Sequence, residues 1–310
     1  MPKISVIIPT YNSRKFIVDA IESVLKQTYQ DIEIIICDDG STDSTGEIVK
    51  RYGNRIVYRY QNNRGPSAAR NMGIIMAKGE YVAFLDADDI WLPEKMSIQL
   101  EEIEKSDSIG LVTCPRYILS NDGNVELYQP EINGLTKNEL LRILVMNNVI
   151  GGGSSVLIRK RCFDELGLFD ERLLVSEDTD MWFRICKKFV IRCTAQPLLQ
   201  YRVLNGSQSY YPERNLKSQL LYLDKVFADN EMHMSSFHKS KALCERFLSG
   251  AWSFMCVCNY KKAREYILRS LFVNPLYFLS KIERCGLLFK IFFGDTAYHK
   301  SCFFLKKANR

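Results

Sequence analysis

The first hundred residues alternate short apolar runs with stretches of helical period, and few folds accept that rhythm. Residues 4–9 form an apolar run closed by Pro9. Phe16, Ala20, Ile21, Val24 and Leu25 then recur at helical spacing within 13–26. Residues 32–37 are a second apolar run, and Thr42 or Asp43 begins a helix predicted to reach Arg51. Residues 56–60 are a third run, Gly65-Pro66-Ser67 opens a helix through Ala77, and 81–85 are a fourth. Strands alternating with helices of about 10–15 residues predict βαβ units around a mostly parallel sheet, hence an α/β fold.

Two acidic clusters sit at strand ends in this scheme. Asp38-Asp39 follows the second run, and Asp86-Ala87-Asp88-Asp89 follows the fourth. In open α/β sheets ligands bind outside the carboxyl ends of strands, so both clusters can face one crevice. Crowded carboxylates raise each other's pKa unless a cation neutralises them. A hard divalent ion, Mn²⁺ or Mg²⁺, takes oxygen ligands and shares its shell with substrate phosphates. The simpler reading is that Asp88 or Asp89 caps a following helix.

Beyond a helix at 96–105 the pattern is less regular. A strand is expected over 111–119, a polar loop over 120–133 and a helix over 135–145. A strand over 156–159, a loop over 169–177 and a helix over 178–188 follow. From Asn215 the chain is helical in character. Residues 1–212 therefore read as an α/β catalytic domain and 213–310 as a helical extension.

Charge separates the same two parts. Residues 261–310 carry eleven Lys+Arg against three Asp+Glu, whereas 1–260 carry 31 against 33. A basic tail interleaved with aromatics suits an anionic membrane surface. No apolar run approaches the roughly 18–20 residues needed to span a bilayer. Basic charge confined to the tail argues against nucleic acid as partner. The ten cysteines include no Cys-x-x-Cys pair, so they read as reduced thiols. Without a basic n-region or apolar signal core at the start, the expected location is cytoplasmic, peripheral on the inner face of the cell membrane.

Several ordered elements together resemble the inverting family 2 glycosyltransferases of GT-A fold, over roughly residues 3–210. They are Val6-Ile7-Ile8-Pro9-Thr10-Tyr11-Asn12, Cys37-Asp38-Asp39-Gly40-Ser41-Thr42-Asp43 and Gly65-Pro66-Ser67-Ala68-Ala69-Arg70-Asn71. Asp86-Ala87-Asp88-Asp89 with Trp91, Glu177-Asp178-Thr179-Asp180-Met181-Trp182, and Tyr201-Arg202 with Ser207 complete the set. The resemblance implies a Rossmann-like central sheet flanked by helices, a nucleotide-sugar donor, and a glycan or lipid-linked acceptor. It places donor binding on Pro9, Thr10, Tyr11, Asp38, Asp39, Arg70 and Asp86. Asp88 is the implied metal ligand, Asp178 the general base, and Glu177 its support or an acceptor contact. One departure stands out: family members often carry His where this chain has Asn205, and amide is a poorer ligand than imidazole.

The chemistry of the residues agrees with those assignments. A base ring N–H needs an acceptor, available from Asp38 or Asp39, and an apolar face, available from Tyr11 or Pro9. Arg70 suits either a phosphate or a strand-end carboxylate. A divalent ion stabilises charge on a leaving diphosphate, and a carboxylate base deprotonating the attacking hydroxyl contributes about 10²–10⁴-fold. For Asp180 and Trp182, helix-terminus charge and core packing are the expected roles. A dinucleotide-binding dehydrogenase is excluded, because the first strand–helix turn lacks its glycine fingerprint. A nucleotidyltransferase and a non-catalytic scaffold subunit remain alternatives. The reading adopted is a metal-dependent inverting transfer from a nucleotide sugar, with a UDP-sugar as the expected donor, into cell-surface polysaccharide.

Overall fold

The structure, a computed structural model, describes residues 1–120, 123–204, 211–232 and 234–280. The chain divides into two compact units, 1–205 and 206–310. In the first, β1 (Ile4–Thr10), α1 (Ile17–Leu25), β2 (Ile32–Asp38), α2 (Thr45–Lys50), β3 (Val57–Tyr60), α3 (Pro66–Met76) and β4 (Tyr81–Phe84) follow the predicted alternation. Next come β5 (Ile90–Trp91), α4 (Lys95–Glu104), β6 (Ile109–Thr113), β7 (Arg116–Leu119), β8 (Val125–Tyr128) and α5 (Lys137–Met146). β9 (Leu157–Arg159), α6 (Arg161–Leu166), α7 (Glu177–Lys188), β10 (Val190–Cys193) and β11 (Leu199–Arg202) complete the unit. The second unit holds α8 (Pro212–Phe227), α9 (Ser236–Cys256), α10 (Tyr260–Val273) and α11 (Pro275–Leu279).

Seven strands form the main sheet in the order β10-β6-β9-β4-β1-β2-β3. Its pairs are parallel except those of β9, which runs antiparallel to both β4 and β6. The apolar runs earn this central position. Ile4, Val6, Ile7, Ile8, Val82, Ala83 and Phe84 are all fully buried, as strands covered on both faces must be. A second sheet, β5-β11-β7-β8, lies beyond the carboxyl end of β4.

The single strand expected over 111–119 is two strands in different sheets. Pro115 has no N–H to donate to a ladder, so the chain leaves the main sheet after Thr113 and re-pairs from Arg116. The polar stretch read as loop contains β8, held by antiparallel pairing with β7. The residues after Asp89 enter β5, not a helix, so neither Asp88 nor Asp89 is a helix cap. The eight described cysteines are free thiols, six of them buried. Among the described residues no helix is long and apolar enough to cross a membrane.

Candidate active site

The carboxyl ends of β1, β2 and β4 bring the predicted residues to one edge of the sheet. At the end of β2, Asp38 is buried and accepts from the Ser41 amide (2.8 Å) and the Tyr58 hydroxyl (2.7 Å). Asp39 accepts from the Arg64 amide (2.8 Å), the Gly65 amide (2.8 Å) and Gln61 Nε2 (2.7 Å). It thereby fixes the turn that starts α3. Its own amide donates to the Thr10 carbonyl at 2.8 Å, which ties the ends of β1 and β2 together. Thr10 Oγ1 is buried with no hydrogen-bond partner, while the Tyr11 ring, beyond the strand end, is half exposed. Pro9 precedes them within the strand.

Arg70 joins three segments far apart in sequence. Carried by α3 and buried, it donates from Nη2 to Asp86 Oδ1 (2.9 Å) and from Nη1 to Glu177 Oε1 (2.8 Å), and lies 3.6 Å from Asp178 Oδ1. Burial opposes its charge, but Asp178, Asp86 and Glu177 outweigh burial and hold it firmly protonated. Of the two roles left open by the sequence, carboxylate anchoring is the one these contacts display.

Asp86 is held through its amide, which donates to Ser154 Oγ at 2.9 Å. Trp91 Nε1 donates to the Ser154 carbonyl at 2.9 Å, so the turn that grips Asp86 is itself gripped. Burial, then repulsion from Asp86, pushes the Asp88 carboxyl up to about 6. Asp89 is raised well above the usual range by burial and by Asp86. Its Oδ1 accepts from the Arg202 amide at 3.1 Å, and its Oδ2 is buried without a partner. Crowded, part-desolvated oxygens with an orphaned acceptor are a donor set that suits a hard divalent cation. Among the described residues no group of three ligating side chains is already gathered as a metal cage.

Asp178 stands in the first turn of α7, just after Ser176, whose left-handed φ of 68° is uncommon for a residue other than glycine. Burial pushes its carboxyl up to about 7, against the pull of Arg70 and with further push from Glu177 and Asp86. Its Oδ1 has no hydrogen-bond partner. Asp180 pairs with Arg184 at 2.9 Å, and the buried Trp182 donates to the Gly151 carbonyl at 2.9 Å. The first is an ion pair within α7 and the second a buried packing contact. Asn205 and Ser207 lie outside the described residues.

The sequence reading missed Ser154, Tyr58 and Gln61. Ser154 lies in Gly151-Gly152-Gly153-Ser154-Ser155, which by itself points to no partner. Tyr58 and Gln61 carry no motif, and only pairing of β2 with β3 puts them against Asp38 and Asp39.

Comparison with known proteins decides the family. The model of glycosyl transferase family 2 matches residues 5–167, more than half of the chain. The chain belongs to that family. A 205-residue stretch is 35% identical to an uncharacterized glycosyltransferase of Rickettsia typhi, covering 65% of this chain and 64% of the relative. The glycosyltransferase GlyG of Streptococcus pneumoniae is 41% identical over 220 residues, 66% of this chain and 72% of that one. An uncharacterized glycosyltransferase of Methanocaldococcus jannaschii is 31% identical over 240 residues, 75% and 81% of the two chains. The chain spans only 27–64% of the length of the rickettsial relatives. In fold, this family 2 chain is similar to TarS 1–349 of S. aureus in complex with UDP-GlcNAc. The TM-score is 0.65 and identity 21%, over 93% of this chain and 86% of that one. It is also similar to the mannosyltransferase PcManGT of Pyrobaculum calidifontis in complex with GDP-Man and Mn²⁺. There the TM-score is 0.60 and identity 17%, over 96% and 82%. These likenesses establish the GT-A α/β fold.

Proposed function

We propose that this chain transfers a sugar, with inversion, from a nucleotide-sugar donor to a glycan or lipid-linked acceptor in cell-surface polysaccharide synthesis. The observation that carries the reading is the convergence of Asp86, Glu177 and Asp178 on one buried guanidinium, Arg70. The cluster after β4 and the carboxylates at the start of α7 thus meet on one side chain. Direct displacement at an anomeric carbon needs that arrangement, with a leaving diphosphate on one side and a base on the other.

In this reading Tyr11 stacks on the base, and Asp38 and Asp39 shape its pocket together with Pro9 and Thr10. Asp88 would hold Mn²⁺ or Mg²⁺, with Asp86 toward the ribose or a metal-bound water, and the ion would supply charge stabilisation at the diphosphate. Asp178 takes the proton of the attacking hydroxyl, and a carboxyl that titrates near neutrality is matched to that task. Glu177 and Arg70 hold it in place. UDP is the proposed nucleotide of the donor. The complexes of similar folds contain UDP-GlcNAc in one case and GDP-Man in another, which supports a nucleotide sugar and leaves the base to measurement.

Attachment to an anionic membrane surface is the second part of the proposal. Lys261, Arg264, Leu268 and Phe272 share one face of α10 by helical spacing. Phe272 and Leu276 are about four-fifths exposed, and Leu279 more than half. Exposed apolar side chains beside basic ones support seating at a lipid interface.

Calorimetric titration of UDP, GDP and dTDP, with and without Mn²⁺, tests the donor site. Metal-dependent binding of one diphosphate, lost in Asp88→Ala, is the expected result. A folded protein that binds none of the three would overturn the catalytic reading in favour of a scaffold role.

A further inference from the structure

Arg116 opens β7, in the small sheet beyond the carboxylate cluster. Its guanidinium lies over the Tyr128 ring, 4.0 Å from the centroid, and is pressed against the backbone of Gly151. A Cβ at position 151 would fall 2.4 Å from Nη1, and Gly151 has a φ of +107°, so the contact requires glycine twice over. Nη1 is buried and has no hydrogen-bond partner. The cationic guanidinium therefore carries an unused donor.

Three other arginines of this unit are committed. Arg70 is bound by Asp86 and Glu177, Arg184 by Asp180 and the carbonyls of 166–168, and Arg202 by Asp19. Among the described residues Arg116 has no ion-pair partner. Its setting is nonetheless rigid. β7 is paired on both edges, by β11 and β8. Asn148 brackets Gly151 with two hydrogen bonds of 3.0 Å, and Trp182 holds the Gly151 carbonyl.

The same loop leads to the reacting groups. A Cβ on Gly152 would lie 3.7 Å from Asp178 Oδ2. β11, which pairs with β7 from Leu199 opposite Arg116 onward, carries Arg202, whose amide donates to Asp89 Oδ1 at 3.1 Å. Arg116 is therefore a rigidly held, unpaired cation on the rim of a carboxylate-lined site. A planar guanidinium in that state is matched to the oxygens of a phosphate.

We propose that Arg116 binds a phosphate group of a substrate, either the donor's diphosphate or a phosphate carried by the acceptor. The inference rests on the glycosyl-transfer reading and adds a recognition residue that none of the family-like motifs contains.

The test titrates the wild-type protein, Arg116→Met and Arg116→Lys with the nucleoside diphosphates and their nucleosides in the presence of Mn²⁺. Glycerol phosphate is then titrated into the diphosphate-loaded proteins. Loss of about tenfold or more in diphosphate affinity in Arg116→Met, with nucleoside binding unchanged, assigns Arg116 to the donor. Unchanged diphosphate affinity with loss of glycerol phosphate binding assigns it to the acceptor. Arg116→Lys keeps the charge without the planar fork and should lie between; it also serves if Arg116→Met fails to fold. Folded variants that match wild type for both ligands overturn the proposal. If wild type itself binds no diphosphate, it is the glycosyl-transfer reading that falls.

Discussion

At the scale of single residues the site depends on how burial changes ordinary carboxylates. Asp178 in water would be ionised from about pH 4 upward. Buried in the first turn of α7, it holds its proton to about pH 7. Transfer should therefore rise through neutrality as Asp178 loses that proton. Asp178→Asn should lower turnover by about 10²–10⁴-fold while diphosphate affinity stays near wild type. Loss of donor binding in that variant would show that Asp178 belongs to the donor site instead. Stability follows with a definite sign. The folded state binds this proton more tightly than the unfolded chain, so its contribution is complete below about pH 4 and lost as pH rises through about 7. The melting temperature of Asp178→Asn, relative to wild type, should climb between pH 5 and pH 8; a constant difference would count against a raised pKa. The acids themselves were legible in the sequence. Their titration was not, because it comes from burial and from the charges of Arg70, Glu177 and Asp86, which folding supplies.

At the scale of elements, α3 is the member that joins the turn after β2 to the carboxylates gathered on Arg70. Asp39 sets its first turn, and Arg70 on its inward face reaches both β4 and α7. Its approach to the sheet depends on Gly73, where a Cβ would fall 2.4 Å from Ile7 Cγ2 and 3.1 Å from Cys37 Sγ. Alanine is the better helix former by about 1 kcal/mol. Even so, Gly73→Ala should destabilise by about 1–3 kcal/mol, since Ile7 is fully buried and has no room to yield. Urea denaturation reads this directly, and an unchanged or higher midpoint would mean the helix can shift without cost. The βαβ alternation up to β4 was legible because each buried strand is an unbroken apolar run. The second sheet was not. β5 has two residues, and β7 and β8 are no more than half-buried, so neither length nor alternation marks them. Pairing across the chain defines these strands: β11 with β5 and β7, and β7 with β8.

At the scale of the whole molecule, the charge asymmetry coincides with the division into two units. The excess of Lys and Arg lies in 261–310, inside the second unit, and so does the exposed apolar face of α10 and α11. Vesicle sedimentation tests the membrane proposal. Deleting residues 281–310, or combining Phe272→Asp with Leu276→Asp, should weaken binding to anionic vesicles and leave donor hydrolysis near wild type. Undiminished binding by the combined variant would remove α10 and α11 from the contact. The basic stretch at 285–310 lies outside the described residues. The sequence by itself determined the α/β class, the strand-end acids and the family-like motifs. These follow from apolar period and local spacing, which folding does not alter. The tertiary structure alone decided which acids meet on Arg70, which carboxyls stay protonated toward neutrality, and that Arg116, beside Gly151, has no ion-pair partner among the described residues. Each of those depends on distances between residues far apart in the chain, and such distances exist only once the sheets are assembled.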